Sequence, residues 1–330
     1  MNYETTEKET DIQTYDIIPD IHADHGRLAL TLDALGYRQG GGTWEHPEGR
    51  IAAFLGDFID RGSQNRAVIE TVRAMVEGGT ALAIMGNHEL NALHYHGRGE
   101  NRHRTGDGYM RAHTEKHARQ HASFLAEYPL GDPATRDVLD WFLTLPVFLE
   151  LEGFRLVHAC WESGAIVEVQ QRRPDGRLDP ADLEEIALEE TRFAKAVDTL
   201  LKGPEVQLPD GYSFEDNDGA LRREVRVKWW ASEGASWRDA TLSVPDPSRL
   251  PEGPISDLSG IRFYGADEPP VFFGHYKRAG RPAALDTGNV MCLDYLDEPC
   301  AYRWAGAPPI DIADVMCAGT GEPAQVGAAP

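Results

Sequence analysis

Residues 54–62 read FLGDFIDRG: the apolar pair Phe54-Leu55 runs into Gly56, and Asp57, Asp60 and Arg61 follow. Four other apolar runs also end in polar clusters, at Asp20-Ile21-His22, Asn87-His88-Glu89, His158 and Gly274-His275. Singly, each has an ordinary reading. Aspartate favours turns, and a lone histidine is commonly a satisfied core side chain. Together they assemble carboxylate, imidazole and amide donors, which suit first-row divalent cations.

The spacing has a chemical logic. Asp20 and His22, at i and i+2, share one side of an extended chain and can reach one ion. Asp57 is placed to bridge two ions, and Asn87 adds a neutral oxygen. Two ions roughly 3.5–4 Å apart clamp a phosphoryl group and lower the pKa of a bridging water towards about 7, giving a hydroxide that attacks phosphorus. His88, beside a ligand but free itself, can protonate the leaving oxygen. Asp60 can orient His88, and Arg61 offers a fork of donors to phosphate oxygens.

Such groups must be carried by strands, because ligands of open α/β sheets lie beyond the C-terminal strand ends. The order of apolar patterns predicts strand, helix, strand, helix, strand over the first ninety residues, hence a mainly parallel sheet. The helices fall at HGRLALTLDAL and at residues 64–77, where Val68, Ile69, Val72 and Met75 share a face. QGGGTWEHPEGR reads as a Gly-rich turn. Residues 107–145 read as largely helical, and VFLELEGFRLVHA as a hairpin about Gly153. PPVFFGHY and AALDTGNVMCLDYL supply the late strands. The organisation expected is a polar tail at 1–14 and one catalytic domain at 15–304. That domain carries a helical insert at 92–145 and an irregular insert at 162–265, the latter with one helix near 180–202. An Ala/Gly/Pro-rich tail follows at 305–330, its last dozen residues mobile.

Composition narrows the partners. The chain has 330 residues and a net charge of −22, so a nucleic-acid polymer is repelled and a small anionic substrate needs a locally positive site. No stretch has the length of uncharged apolar residues that a membrane span needs, and the polar N-terminus is no secretory signal. Cys160, Cys292, Cys300 and Cys317 form no CxxC pair and read as free thiols in a reducing cytoplasm. His113, His117 and His121 recur every four residues, as on one face of a half-buried helix. His94, His96 and His103 precede them. EDNDG at 215–219 fails the calcium-loop register and reads as a turn.

The series Asp-x-His, Gly-Asp-x-x-Asp-Arg-Gly, Gly-Asn-His-Glu, a strand-end His and Gly-His resembles the calcineurin-like metallophosphoesterases, in particular their phosphoprotein-phosphatase branch. The resemblance covers residues 16–91, 154–160 and 271–289. It implies a two-sheet β-sandwich flanked by helices. It also implies a first metal on Asp20, His22 and Asp57 and a second on Asp57, Asn87, His158 and His275. His88 with Asp60 would form the acid pair, with Arg61 on phosphate. The cofactors implied are two divalent ions, manganese first, with iron, zinc, cobalt or nickel as alternatives.

Pro19 and Ala23 stand where the family usually has glycine, which leads us to expect a different loop backbone. His158-Ala159-Cys160 replaces the usual His-Gly-Gly. A second phosphate-binding cation is expected from Arg226, within ALRREVRVKWW, or from Lys202. Trp161, Trp229, Trp230 and Tyr276 are candidates for stacking on a base. The sequence alone favours a Ser/Thr-type phosphoprotein phosphatase. A dinucleoside tetraphosphate hydrolase is the alternative, and a non-catalytic metal-binding scaffold is the reading from another class.

Overall fold

The computed structural model describes residues 13–100, 106–215, 219–231, 234–255, 262–280, 282, 288–306 and 308–318. Two sheets form its centre. In the first, the strand order is Val315–Cys317, Cys300–Trp304, Tyr15–Ile18, Ile51–Phe54, Ala81–Ala83. The last three run parallel, as the alternation of strands and helices predicts. In the second, the order is Val290–Cys292, Val271–Phe273, Phe154–Val157, Phe148–Leu151, with the expected hairpin about Gly153 at its edge.

Side-chain alternation builds the layers. Ile17 and Ala53 of one sheet pack with Leu156 and Phe272 of the other, and Tyr302 and Trp304 join that inner layer. Their neighbours Ile18, Phe54, Val157 and Phe273 point outward, into the cluster that contains the helices. Helix His25–Leu35 buries Leu28, Leu32 and Leu35, and its Asp24 cap accepts the Arg27 N–H at 2.8 Å. Helix Asn65–Glu77 buries Val68, Ile69, Val72 and Met75. Each such side chain contributes about 1.5–3 kcal/mol on leaving water. The result is a two-sheet β-sandwich flanked by helices, the expected fold class.

The structure corrects several expectations. In the stretch 162–265, the described residues hold more regular structure than the one helix expected near 180–202, which is present as two. Helices Ser163–Arg172, Leu183–Leu188 and Arg192–Lys202 occupy its first part. Leu200 anchors them to the second sheet, its carbonyl accepting the Ala159 N–H at 3.0 Å. The described residues of 205–255 then make small antiparallel sheets around a core of their own, with Phe214, Val225, Trp237 and Leu250. Polar composition hid this, because a small core needs few apolar residues. The Gly-rich turn overlaps a hairpin, Arg38–Gly40 with Thr43–Glu45.

The expected tail from 305 includes the edge strand Val315–Cys317, paired with Cys300–Trp304. Cys300 faces Cys317 in that register and the two form a disulfide. The free-thiol reading therefore stands only for the buried Cys160 and Cys292. Among the described residues, no helix is long and apolar enough to cross a membrane. Residues 1–12 and 319–330, His103 and the centre of EDNDG lie outside the described residues.

Candidate active site

The strand ends deliver the polar clusters to one place. Asp57 follows Ile51–Phe54, Asn87 and His88 open helix Asn87–His96 beyond Ala81–Ala83, His158 follows Phe154–Val157, and His275 follows Val271–Phe273. The loops interlock through the backbone. Ile21 and His22 donate their N–H groups to the Asp57 carbonyl at 3.1 and 2.9 Å, and Ala23 donates to Phe58 at 2.8 Å. Glu89, fully buried, ties the next loop in by accepting N–H groups from Asp57, Phe58 and Gly86 at 2.8, 2.8 and 2.9 Å. Burial, then the Asp57 charge, raise its carboxyl to about 7.

This closeness demands small residues at two points. A Cβ on Gly86 would strike Asp57 Oδ1, and one on Gly274 would strike Asp20 Oδ1. Left-handed backbone is concentrated here as well, with φ of 49° at His22, 52° at Asp57, 67° at Asp60 and Arg61, and 70° at His275. Strain of this kind persists where the surroundings over-determine it, and it gathers at functional sites. Asp20 and His22 therefore do not share an extended segment; a left-handed turn at His22 brings their side chains together. Ala23 takes φ 54°, the geometry glycine adopts freely, so the alanine does not impose another conformation.

Two donor sets converge on Asp57, one on each oxygen. Oδ2 lies 3.7 Å from His22 Nε2, which is itself 3.7 Å from Asp20 Oδ2. Oδ1 lies 3.4 Å from His158 Nε2, which is 3.1 Å from Asn87 Oδ1, and that oxygen is 2.9 Å from His275 Nδ1. The other ring nitrogens fix the tautomers. His22 Nδ1 donates to the Ile59 carbonyl at 3.1 Å and His158 Nδ1 to the Leu55 carbonyl at 2.7 Å. With the ring neutral, each Nε2 presents a lone pair to neighbouring oxygens, as in metal sites whose outer hydrogen bonds set the ligand tautomer. His22 Nε2 is buried without a hydrogen-bond partner. Facing acceptors of this kind repel one another unless cations lie between them, so the donor sets fit divalent ions.

Without cations, protons relieve part of this repulsion. Burial holds His22 down at about 3 and, with the His158 charge, holds His275 well below the usual imidazole range. Burial opposes a charge on His158, but the Asp57 and Asp20 carboxylates raise it to about 10. Burial and Asp294 push the Asp20 carboxyl well up. Burial opposes ionisation of Asp57, yet the imidazoles of His158 and His88 keep it well below its usual range.

His88 stands at the edge of the first set, with Nε2 3.9 Å from Asp57 Oδ2. Its Nδ1 donates to Asp60 Oδ2 at 2.7 Å, and Arg61 Nη2 is 3.4 Å from its Nε2. A cleft of about 540 Å³ opens over the two sets. Arg61, Asn87, His88, His275 and Tyr276 line it, and so do the expected cations Lys202 and Arg226. Lys202 is paired with Asp198 and with Glu189 at 3.6 Å, and Arg226 with Glu205 at 3.5 Å. Trp161, Trp229 and Trp230 are core residues, at most 3% exposed, and offer no face to a ligand. Trp229 spends its Nε1–H on the Ala159 carbonyl at 2.8 Å.

Sequence reading missed four contributors. Arg111, hydrogen-bonded to Asn91 and, at 3.4 Å, to Gln120, and Lys277 both line the cleft. Asp294 accepts the Lys277 N–H at 3.0 Å. His121 binds the second oxygen of Asp60. None of the four lies in a motif. The histidine repeat was the one signal available, and it does not form one helix face. His113 precedes helix Glu115–Gln120 and stacks between Tyr95 and Tyr109, His117 faces the cleft, and His121 lies at a helix junction.

A sequence profile of the calcineurin-like phosphoesterases matches residues 14–232. The chain belongs to that family. The phosphoesterase also matches curated proteins named bis(5'-nucleosyl)-tetraphosphatase PrpE [asymmetrical]. With the one from Halalkalibacterium halodurans it shares 43% identity over 74 residues, covering 22% of this chain and 30% of that protein. With the Bacillus subtilis protein it shares 39% over 74 residues. The match thus spans under a third of these relatives. Among solved structures, the phosphoesterase aligns with a putative diadenosine tetraphosphatase at TM-score 0.44 and 14% identity, over 94% of both chains. A Saccharomyces cerevisiae protein serine/threonine phosphatase aligns at TM-score 0.48 and 13% identity, over 94% of this chain and 80% of that one.

Proposed function

We propose that the protein hydrolyses a phosphoanhydride bond in an oligophosphate, with dinucleoside tetraphosphates as the substrate class. One observation carries this reading. In a chain of net charge −22, the basic side chains Arg61, Arg111, Lys202, Arg226 and Lys277 all line one cleft above the paired donor sets. Among the described residues, Arg61, Arg111 and Lys277 have no carboxylate at ion-pair distance. A run of phosphates answers such a ring of charge. A phosphoserine at Arg61 would leave Arg111 and Lys277 unanswered, so the phosphoprotein reading ranks second. The names of the tetraphosphatase relatives support the same order.

Asp20, His22 and Asp57 Oδ2 would hold one divalent ion, and Asp57 Oδ1, Asn87, His158 and His275 the other, with manganese our first choice. Bound there, the ions supply Lewis acidity towards the phosphoryl group. The chain's own residues do the rest. Arg61 and Arg111 neutralise non-bridging oxygens and align the phosphates. Asp60 holds the His88 Nδ1–H, so that in the imidazolium form it is the Nε2–H that faces the leaving oxygen and supplies its proton. Tyr276, buried at the cleft wall, borders the place a nucleoside would take. A nucleotide substrate points to the cytoplasm. The Cys300–Cys317 bond weighs against that location, since disulfides are uncommon where thiols are kept reduced.

The test is phosphate and nucleotide release by chelator-stripped protein with manganese restored. Diadenosine tetraphosphate, a phosphoserine peptide and p-nitrophenyl phosphate form the panel. We expect metal-dependent turnover with kcat/KM highest for the tetraphosphate. Preference for the peptide would reverse the order of the two readings, and loss of metal dependence would remove both.

A further inference from the structure

We propose that His121 is a positioning residue for proton transfer, holding the far side of Asp60 so that His88 presents Nε2 to the leaving group. The inference rests on the reading of His88 as proton donor. It adds a residue from the helical insert, outside every motif that carries the family resemblance.

The geometry is a carboxylate held at both ends. Asp60 Oδ2 takes the His88 Nδ1 hydrogen bond at 2.7 Å, and Oδ1 takes that of His121 Nδ1 at 2.8 Å. With one imidazole on each oxygen, the carboxylate cannot rotate without breaking a charge-assisted bond. With neutral His121 and His96 rings, protons fit only one way along the row. If His121 donates from Nδ1, its Nε2 must accept, and His96 Nε2 lies 3.3 Å away as donor. His96 Nδ1 is then left as an acceptor, and that atom is indeed buried without a partner. Burial, then the neighbouring His121, lower the His96 imidazole to about 4, which keeps it neutral and suits it to this single-proton role.

His121 is itself held rigidly. It is 5% exposed, and its ring stacks on Phe124 with centroids 4.8 Å apart. It sits where helix Glu115–Gln120 gives way to helix Ala122–Glu127. At the far end of the second helix, Glu127 accepts from the Asn65 N–H at 2.8 Å and from Asn65 Nδ2 at 2.9 Å. Asn65 Oδ1 in turn accepts the Asp60 N–H at 2.9 Å. The insert thus grips Asp60 twice, by its backbone through Glu127 and Asn65, and by its side chain through His121. A histidine serving only to fill space would have no need of this second grip.

Two substitutions separate positioning from packing. His121→Phe keeps an aromatic ring against Phe124 and removes the donor; His121→Asn restores a donor near the Nδ1 position. The assay compares phenyl phosphate, whose leaving group needs a proton, with p-nitrophenyl phosphate, whose leaving group needs it far less. With manganese bound, we expect His121→Phe to lower kcat about 10–100-fold on phenyl phosphate and under about 3-fold on the nitrophenyl ester, at unchanged KM. His121→Asn should recover most of the loss, and His121→Phe should cost nothing more in a His88→Asn background. Equal losses on both esters, or a further loss in the His88→Asn background, would overturn the proposal. A second readout needs no turnover. In the proton NMR spectrum of the metal-free protein, His121→Phe should remove one downfield imidazole N–H signal and shift that of His88. An unmoved His88 signal would overturn the proposal even if the enzyme proved inactive on every ester, an outcome that would by itself count only against the hydrolase reading.

Discussion

Asp57 joins both donor sets and also accepts the His88 backbone N–H at 2.9 Å, so one carboxylate would hold the proposed ions and also holds the start of the helix that carries the proposed acid. The two roles separate by substitution. Asp57→Asn should abolish turnover and weaken manganese binding together, as followed by calorimetric titration. His88→Asn should lower kcat about 10²–10⁴-fold while manganese still binds, because a general acid is lost and no ligand is. Normal turnover in either purified variant would contradict the mechanism. Arg111 tests the substrate class. If it answers a distal phosphate, Arg111→Gln should raise KM for diadenosine tetraphosphate about 10–100-fold, the worth of one charged hydrogen bond, and leave p-nitrophenyl phosphate nearly unaffected. Similar effects on both substrates would place Arg111 at the reacting phosphate instead.

The elements that carry these residues differ in how far the sequence reveals them. Ile51–Phe54 and Ala81–Ala83 are continuous apolar runs, as parallel strands buried on both faces tend to be, Tyr15–Ile18 is broken only by the buried Asp16, which pairs with Arg50, and the polar clusters at their ends mark the site. Candidate ligands at strand ends are legible because sequence adjacency fixes their place. Arg111, His121 and Lys277 come from inserts and loops whose packing depends on contacts distant in sequence, so neither periodicity nor spacing announces them. The helices of 163–202 are legible only in part, as one helix near 180–202, with Ser163–Arg172 unforeseen. Charged faces lower their mean hydropathy, and their order depends on side-chain anchors such as Asp182. That residue is buried and accepts Arg173 Nε and Nη2 at 2.7 and 2.9 Å and the Asp179 N–H at 2.9 Å. Burial opposes its charge, but these donors hold its carboxyl below the ordinary value of 3.8. A depressed carboxyl stabilises the fold above that value, and the gain is lost as pH falls through the folded range. Asp182→Asn should therefore lower the urea midpoint at neutral pH, and the difference from wild type should shrink as the pH is taken below about 4. A gap that persisted into strong acid would assign Asp182 a role independent of its charge.

At the scale of the whole molecule, the donor sets draw on both sheets. Asp20 and Asp57 leave the first and His158 and His275 the second, and the backbone N–H of His275 reaches Asp20 Oδ1 at 3.2 Å across the junction. The native fold thus crowds the buried carboxylates of Asp20, Asp57 and Asp294 into one region. Divalent cations would relieve that crowding in the folded chain and find no comparable set of donors in the unfolded one. Binding then becomes stability: a ligand at 100 times its Kd adds about 2.7 kcal/mol. Manganese should raise Tm by several degrees in a concentration-dependent way, and a chelator should reverse the shift, as scanning calorimetry can follow. Because the ions would join the sheets, protection from hydrogen exchange should rise in Val271–Phe273 as well as in Tyr15–Ile18. Asp57→Asn should remove both effects. A manganese-induced shift confined to one sheet would mean that the cations are held by that sheet alone.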